Sequence, residues 1–377
     1  MAKKSYIGVD GKARKIKKWY FGVDNKARKV KKGYIGVGGV ARPFMSGGEL
    51  EYYGTITPLS VARSGLAGAT VGNYALFAGG SDSNTSEALA VDAYNALLTR
   101  STATNLSVAR SGLAGATVGN YALFAGGLGH GVKSTVDAYN TSLVRSTPAD
   151  LANACMRLKG ESIGNYALFA GGASGGSLRY SDVTAYNKSL TRSFESSLSK
   201  ARDALTSATV GNYALFAGGC DYYNSAYSMH ATVDAYDTFL VQSTPTSLIA
   251  GRRSLAGASA GNYALFAGGE LPSVDSVLVE AYDTSLVKTI LPNLSVARSN
   301  LAGATVGNYA LFAGGSDSNT GEALAVDAYD SSLVKTNPTG LSVARSGLAS
   351  ATIGNYALFA GGFSNFRYSS VVDVYTI

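Results

Sequence analysis

The hydrophobic and polar positions of this chain follow one four-part pattern that returns every 45 to 50 residues. In the first copy, a run rich in the small residues Gly, Ala and Thr (65–71) precedes a run that is apolar at almost every position (74–78). Apolar and polar residues then alternate at 91–94, and a polar stretch at 100–104 ends the copy. Short segments of this kind, separated by turn residues, predict four β-strands, which we name a to d.

Seven copies of the phrase Gly-Asn-Tyr-Ala-Leu-Phe-Ala-Gly-Gly mark the repeat, and a fixed period of this length indicates an array of similar modules. We expect strand a to lie innermost, because small side chains suit a crowded axis, and strand b to be covered on both faces. Strand c is predicted to place Asp92 and Tyr94 on the face opposite Val91 and Ala93. The phrase begins at Gly72, Gly119, Gly164, Gly211, Gly261, Gly307 and Gly354.

Counting strands predicts how the array closes. Strands a, b and c each occur seven times, but the chain ends directly after the last strand c, at 372–377. The missing strand d is supplied by 51–57, which aligns with the strand d at 100–104. Pairing of 51–57 with 372–377 would close a ring and leave no long free edge. We therefore predict an all-β protein in which residues 51–377 form a seven-bladed β-propeller.

The modules resemble Kelch repeats in their double glycine after strand b, as at Gly79-Gly80, and in a Tyr of strand c, as at Tyr94. An Arg before strand a, as at Arg63, also matches, although the third module has Cys155 there. This resemblance implies a β-propeller fold. The Trp that Kelch repeats usually carry in strand d is absent, which makes the pattern divergent. We expect the repeated Arg to be structural and to bond to backbone or to an acidic group in the next blade.

A second repeat, of 14 residues, occupies the N-terminal part of the chain at 1–42. Its three copies each predict a strand, a tight turn and a second strand. Residues 1–48 carry 13 Lys and Arg residues against Asp10 and Asp24, a net charge of +11 in a chain of net charge +7. The basic character therefore belongs to this segment alone, and residues 43–50, with Pro43 and paired glycines, are predicted to be a linker.

The basic hairpins are predicted to dock on an acidic surface, or alternatively to be a solvated tail. Nucleic acid is a less favoured partner, because nothing in the segment resembles a base-reading module. The run from Tyr6 to Lys18 is similar to short basic repeats in structural proteins of phages and prophages of Gram-positive bacteria. This resemblance implies a virion or other large assembly as the docking partner. The predicted docking residues are Lys12, Arg14, Lys15, Lys26, Arg28 and Lys29.

The loops between strands b and c vary in length and content, while the rest of each module is copied. A rigid frame that carries unlike loops is typical of a binding scaffold. Exposed aromatic residues with polar neighbours can stack on sugars or anchor a protein, although they can also merely fill space between long loops. The candidate ligand-binding residues are Arg179, Tyr180, Asp221, Tyr222, Tyr223, Tyr227, His230, Phe366, Arg367 and Tyr368.

The sequence gives no support for catalysis or for a cofactor. It has no nucleophile elbow, phosphate-binding loop or dinucleotide fingerprint. Its two His and two Cys residues are scattered, so we expect neither a metal site nor a disulfide, and Cys155 is predicted to be buried. No apolar run is long enough to cross a bilayer, and the basic N-terminus lacks the apolar segment of a signal peptide.

These observations favour a non-enzymatic binding protein associated with a virion. In this hypothesis the protein is made in the bacterial cytoplasm, the basic N-terminus docks on the particle, and the propeller recognises a host-surface glycan or protein. An intracellular Kelch-type scaffold for protein–protein interaction is the alternative, and a carbohydrate-active enzyme is a third hypothesis.

Overall fold

The computed structural model describes the backbone of six N-terminal strands and the residues 48–82, 86–223, 226–317 and 321–377. Side chains are described over the same ranges from residue 48 onward, except that of Tyr223. Within these residues the protein contains β-strands and no helix. Seven antiparallel sheets of four strands each form the predicted seven-bladed β-propeller.

Each blade runs from strand a at the axis to strand d at the outside. Strands a are Ala67–Val71, Ala114–Val118, Lys159–Ile163, Thr206–Val210, Ala256–Ala260, Ala302–Val306 and Ala349–Ile353. Strands b are Tyr74–Ala78, Tyr121–Ala125, Tyr166–Ala170, Tyr213–Ala217, Tyr263–Ala267, Tyr309–Ala313 and Tyr356–Ala360. Strands c are Val91–Asn95, Val136–Asn140, Val183–Asn187, Val233–Asp237, Val279–Asp283, Val326–Tyr329 and Val372–Thr376. Strands d are Arg100–Thr102, Arg145–Ser146, Arg192–Glu195, Gln242–Ser243, Lys288–Ile290, Lys335–Thr336 and, for the seventh blade, Glu51–Thr55.

The N-terminal strand closes the ring as predicted. Glu51–Thr55 pairs antiparallel with Val372–Thr376, with Tyr52 opposite Tyr375 and a bulge between Val374 and Tyr375. The Tyr52 hydroxyl donates a 2.6 Å hydrogen bond to Asp373. The predicted alignment with strand d of the first blade is also correct, since Arg100 there lies opposite Tyr94.

The core is divided into seven clusters, and each lies between two neighbouring blades. Between the first and second blades, for example, Leu76 and Ala93 of one pack with Phe124 and Tyr139 of the other. Because both faces of strands b and c are covered by neighbouring blades, Asp92 of strand c is as fully buried as Val91. The alternation of strand c therefore does not separate a buried face from an exposed one.

In six of the seven blades a buried ion pair joins the start of the blade to its strand c. Arg63 Nη2 lies 2.9 Å from Asp92 Oδ2, both fully buried, and donates a 3.0 Å hydrogen bond to the Phe77 carbonyl. The prediction that this Arg is structural is confirmed, but its acidic partner belongs to the same module and not to the next blade. The equivalent pairs are Arg110–Asp137, Arg202–Asp234, Arg252–Glu280, Arg298–Asp327 and Arg345–Asp373.

The third blade has neither member of this ion pair. Cys155 replaces the Arg, and Thr184 replaces the acid in strand c. Cys155 is buried, as predicted, and burial raises the pKa of its thiol to about 12. Joint loss of both partners is expected, because either charge alone would be left buried and uncompensated.

Seven backbone hydrogen bonds form a closed circle around the axis. Each links the residue two places after the repeated Arg to its equivalent in the preceding blade, beginning with Gly65 N–H to Gly347 O (3.0 Å) and Gly112 N–H to Gly65 O (2.9 Å). All seven residues have positive φ, and the remaining members of the circle are Arg157, Ala204, Ser254 and Asn300. The circle ties the inner ends of all seven blades into one ring.

Crowding at the axis explains the small residues of strand a. A Cβ on Gly68 would lie 2.0 Å from the Ser350 carbonyl oxygen of the neighbouring blade. Such a distance leaves no room for a larger residue without displacing the backbone. The expectation that strand a is innermost because its side chains are small is therefore confirmed.

The N-terminal segment forms three two-stranded hairpins, as the 14-residue repeat predicts. They pair Ser5–Val9 with Lys12–Ile16, Tyr20–Val23 with Lys26–Lys29, and Gly33–Val37 with Val40–Met45. The third hairpin extends to Met45, so Pro43 belongs to a strand and not to the predicted linker. A two-stranded sheet tolerates Pro because each strand has a free edge. The predicted turns at 10–11, 24–25 and 38–39 lie outside the described residues.

Candidate functional site

The loops between strands b and c all emerge on one face of the ring, which we call the loop face. At the base of each loop, the second glycine after strand b bonds to the carbonyl of the residue that opens the next blade. Gly80 N–H donates to Arg110 O at 3.0 Å, and Gly362 N–H donates to Arg63 O at 2.9 Å to complete the circle. The unlike segments therefore share one rim.

The chain enters the propeller on the opposite face, which we call the turn face. This face carries the a–b and c–d turns. Glu51, the first residue of the closing strand, pairs with Thr376 at the end of the last strand c, where the other blades make their c–d turns. The N-terminal hairpins are thus connected to the propeller at the face that does not carry the variable loops.

Four of the loops fold as small hairpins of their own. Two more, in the third and fifth blades, close through single β-bridges, Ala173 to Arg179 and Glu270 to Asp275. Regular pairing fixes the loop backbones above the blades. The hairpin pairs are Leu128–Gly129 with Gly131–Val132, Cys220–Tyr223 with Ala226–Met229, Ser316–Asp317 with Gly321–Glu322, and Phe363–Ser364 with Arg367–Tyr368.

A buried carboxylate, Asp203, organises the loop face between the third and fourth blades. Its Oδ2 lies 2.8 Å from Arg157 Nη2, and its Oδ1 lies 2.9 Å from Arg179 Nε. The Cys220 thiol donates a 3.2 Å hydrogen bond to the same Oδ1. Arg179 is consequently buried and ion-paired, so it supports the loops from below and does not project from them.

An aromatic pair lies above this network. The rings of Tyr222 and Tyr227, opposite each other in the loop hairpin, have centroids 4.9 Å apart. Arg253 of the next blade stacks on Tyr227 with its guanidinium carbon 3.9 Å from the ring centroid. Glu270 holds Arg253 through two hydrogen bonds of 3.0 and 2.7 Å, and this contact raises the Arg253 pKa. The result is a rigid, partly exposed platform of two aromatic rings and one stacked cation.

His230 lies beneath the hairpin and is buried. Its Nε2 is 3.2 Å from Asp221 Oδ2, and Asp221 itself is half-buried. Burial lowers the pKa of His230 although Asp221 opposes the shift, so the imidazole is neutral near pH 7. We assign His230 and Asp221 to the support of the hairpin and not to its exposed surface.

The seventh loop presents a second aromatic group. Asn365 and Phe366 both have positive φ, which forms the tight turn of the hairpin and leaves Phe366 95 % exposed. Beneath it, Phe363 and Tyr368 meet edge to face at 5.3 Å. Arg367 is exposed beside Phe366. This group lies on the same face as Tyr227 but on a blade that does not adjoin the fourth.

The other predicted site residues have different positions. Tyr180 is half-buried and packs against the core cluster that contains Cys155. Tyr223 lies in the loop hairpin opposite Ala226, and its side chain is outside the described residues. The predicted docking residues lie on the second strands of the first two N-terminal hairpins, Lys12–Ile16 and Lys26–Lys29.

Within the part of the chain that the structure describes, no group of three or more His, Cys, Asp or Glu residues could hold a metal ion. A search of the same residues finds no helix with the length and apolar character needed to span a membrane.

Sequence reasoning missed Asp203, Arg157, Arg253 and Glu270. The signal for the first three was their departure from the module pattern. Asp203 and Arg253 stand where Ser64 and its equivalents stand in four other blades, and Arg157 stands where Gly65 does. Because these positions belong to the copied frame and not to the loops, they were not treated as candidates.

Comparison with known proteins supports the fold and leaves the family open. No family model matches the chain, and no curated protein matches it. Chains of solved structures do match, among them one titled "Structure of YjhT", with a TM-score of 0.60 at 12 % sequence identity. That match covers 75 % of this chain and 99 % of the other. At this level of identity the similarity defines the class, a seven-bladed β-propeller protein, through the fold alone.

Proposed function

We propose that this protein is a virion-associated, non-enzymatic binding protein. In this proposal, the loop face of a divergent Kelch-type propeller recognises a host-surface glycan or protein, and the basic N-terminal hairpins dock on the particle. The main support for this proposal is that the variable, aromatic-rich loops occupy one face of the propeller while the chain enters at the other face. A protein held by its N-terminus on a particle would therefore present the loops outward.

The platform of Tyr222, Tyr227 and Arg253 supports recognition of a sugar or of a protein side chain. Aromatic rings offer flat apolar area, and a guanidinium that is already stacked loses little freedom when a ligand binds. Phe366 adds a second, fully exposed apolar contact on the same face. Backbone pairing holds the two loop hairpins, and Glu270 holds Arg253, which supports a surface that is largely preformed.

The test is binding of the purified full-length protein to a glycan array and to whole host cells. Combined replacement of Tyr222, Tyr223 and Tyr227 by Ala is expected to weaken binding by roughly tenfold or more, as expected for central aromatic contacts. Phe239→Ala is the matched control, because Phe239 is 85 % exposed on the turn face. Equal loss in both variants, or no binding to any array or cell, would contradict the proposal. Capture of a stable cytosolic partner would favour the scaffold hypothesis, and turnover of a polysaccharide would favour an enzyme.

A further inference from the structure

The charged side chains that line the axial channel all belong to the third blade. Innermost strands of all seven blades line this channel, which encloses about 430 Å³. Two charged residues of the third blade, Lys159 and Glu161, line it two positions apart on strand a. In the other blades, the position of Lys159 is occupied by Ala67, Ala114, Thr206, Ala256, Ala302 and Ala349. The position of Glu161 is occupied by Ala69, Ala116, Ala208, Ala258, Ala304 and Ala351.

The Lys159 ammonium has no partner among the described residues, where no hydrogen bond or ion pair to it is found. Glu161 is better satisfied, because its Oε1 accepts a 2.9 Å hydrogen bond from the Ser162 N–H. Both side chains keep partial contact with solvent through the channel. Burial nonetheless lowers the pKa of Lys159, which Glu161 only partly offsets. The N–H donors of its ammonium group therefore face the channel without an acceptor from the described residues.

A structural role does not account for this arrangement. Five other blades have Ala at both positions and form the same strand with the same pairing. A charged group at such a place costs stability unless a partner neutralises it. The described residues supply no direct partner to Lys159, so its donors are open to the solvent in the channel and to an anionic group of a bound molecule.

Arg157 adds positive charge at the mouth of the same channel. It stands in the backbone circle with φ of 55°, where Gly65, Gly112 and Gly347 occupy the equivalent places. Its guanidinium is held by Asp203, and the residue lines the channel.

We propose that the axial channel is a second binding site, which takes a molecule of monosaccharide size that carries a carboxylate or phosphate group. The anionic oxygens accept hydrogen bonds from Lys159, and the Glu161 carboxylate accepts a hydrogen bond from a hydroxyl group of the same molecule. The volume of the channel suits a ligand of this size. The site is independent of the proposed loop-face surface, because none of the aromatic residues of that surface lines the channel.

Titration calorimetry on the full-length protein tests the proposal with three probes of similar size: glucuronate, glucose 6-phosphate and uncharged glucose. At least one anionic probe is expected to bind, with glucose roughly tenfold weaker or more. A response to glucuronate alone would assign a carboxylate ligand, and a response to glucose 6-phosphate alone would assign a phosphate. Binding is expected to weaken as pH rises, because the neutral amine of Lys159 loses its attraction for the anion.

Lys159→Ala is expected to weaken anion binding by roughly tenfold or more. Lys188→Ala, which removes the same charge from an exposed turn, should leave it unchanged. Thermal unfolding separates this role from a structural one, because Lys159→Ala and Lys159→Ala/Glu161→Ala restore the residues of the other blades and should not lower Tm.

Three results would overturn the proposal: no binding of either anionic probe at millimolar concentration, binding that Lys159→Ala leaves intact, or a Tm that falls in the Ala variants. The combined replacement of Tyr222, Tyr223 and Tyr227 should not change anion binding in the channel. Failure of this site and failure of the loop-face proposal can therefore be told apart.

Discussion

The repeated arginine forms an ion pair and a hydrogen bond to a backbone carbonyl at the same time. Arg298 Nη2 lies 2.8 Å from Asp327 Oδ2 and 3.0 Å from the Phe312 carbonyl oxygen. Asp327 also accepts hydrogen bonds from the backbone and hydroxyl of Ser295, which precedes the blade. Burial opposes ionisation of Asp327, but Arg298 and Lys335 outweigh it and hold the pKa of the carboxyl below its usual 3.8. Asp327 thus ties the segment that enters the sixth blade, at Ser295, to strand c of that blade.

The third blade supplies a natural control for this pair. We predict that Arg110→Cys alone lowers the free energy of unfolding by about 3–5 kcal/mol, because Asp137 is left buried without its partner. Arg110→Cys with Asp137→Thr reproduces Cys155 and Thr184, and should cost less than the single change. Urea-induced unfolding measures both. A double variant as unstable as the sum of the single variants would show that the two residues do not act as a unit.

At the scale of the element, sequence reasoning succeeded where one physical cause dominates. The run at 74–78 is apolar throughout because both its faces are covered, and it forms strand b with the predicted bounds. The alternation in strand c does not by itself show that Asp92 and Tyr94 are as deeply buried as Val91 and Ala93. The buried Arg63 that neutralises Asp92 lies 29 positions earlier, and no local pattern reveals such a partner.

The closing strand allows a direct test at this scale. Deletion of residues 1–48 should leave Tm unchanged, because Leu50, which packs against the core, and the closing strand Glu51–Thr55 both remain. Deletion of residues 1–57 removes that strand, exposes the edge of the seventh blade and should lower Tm by several degrees or more. Differential scanning calorimetry measures the Tm of the two variants. Equal Tm values would contradict closure by this strand.

The whole molecule combines a sevenfold frame with features that break it. Tyr222, Tyr227 and Phe366 could be predicted as candidates because they lie in loops that visibly differ between modules. Asp203, Arg253 and Lys159 depart visibly from the Ser or Ala that is usual at their frame positions, but the departure alone does not show what each side chain contacts. Their importance depends on which side chains the ring brings together across blades. Such contacts are long-range and leave no spacing pattern along the chain.

Site-directed blocking of the two faces tests the central claim, that ligand recognition belongs to the loop face. Cys155 and Cys220 are buried, and burial raises the pKa of each thiol to about 12, so neither should react with maleimide. Val274→Cys introduces one thiol beside Glu270 on the loop face, and Phe239→Cys introduces one on the turn face; both parent residues are exposed. After coupling to maleimide–polyethylene glycol, host-cell binding should be lost for the Val274→Cys protein and kept for the Phe239→Cys protein. Retained binding in the first, or loss only in the second, would contradict the account.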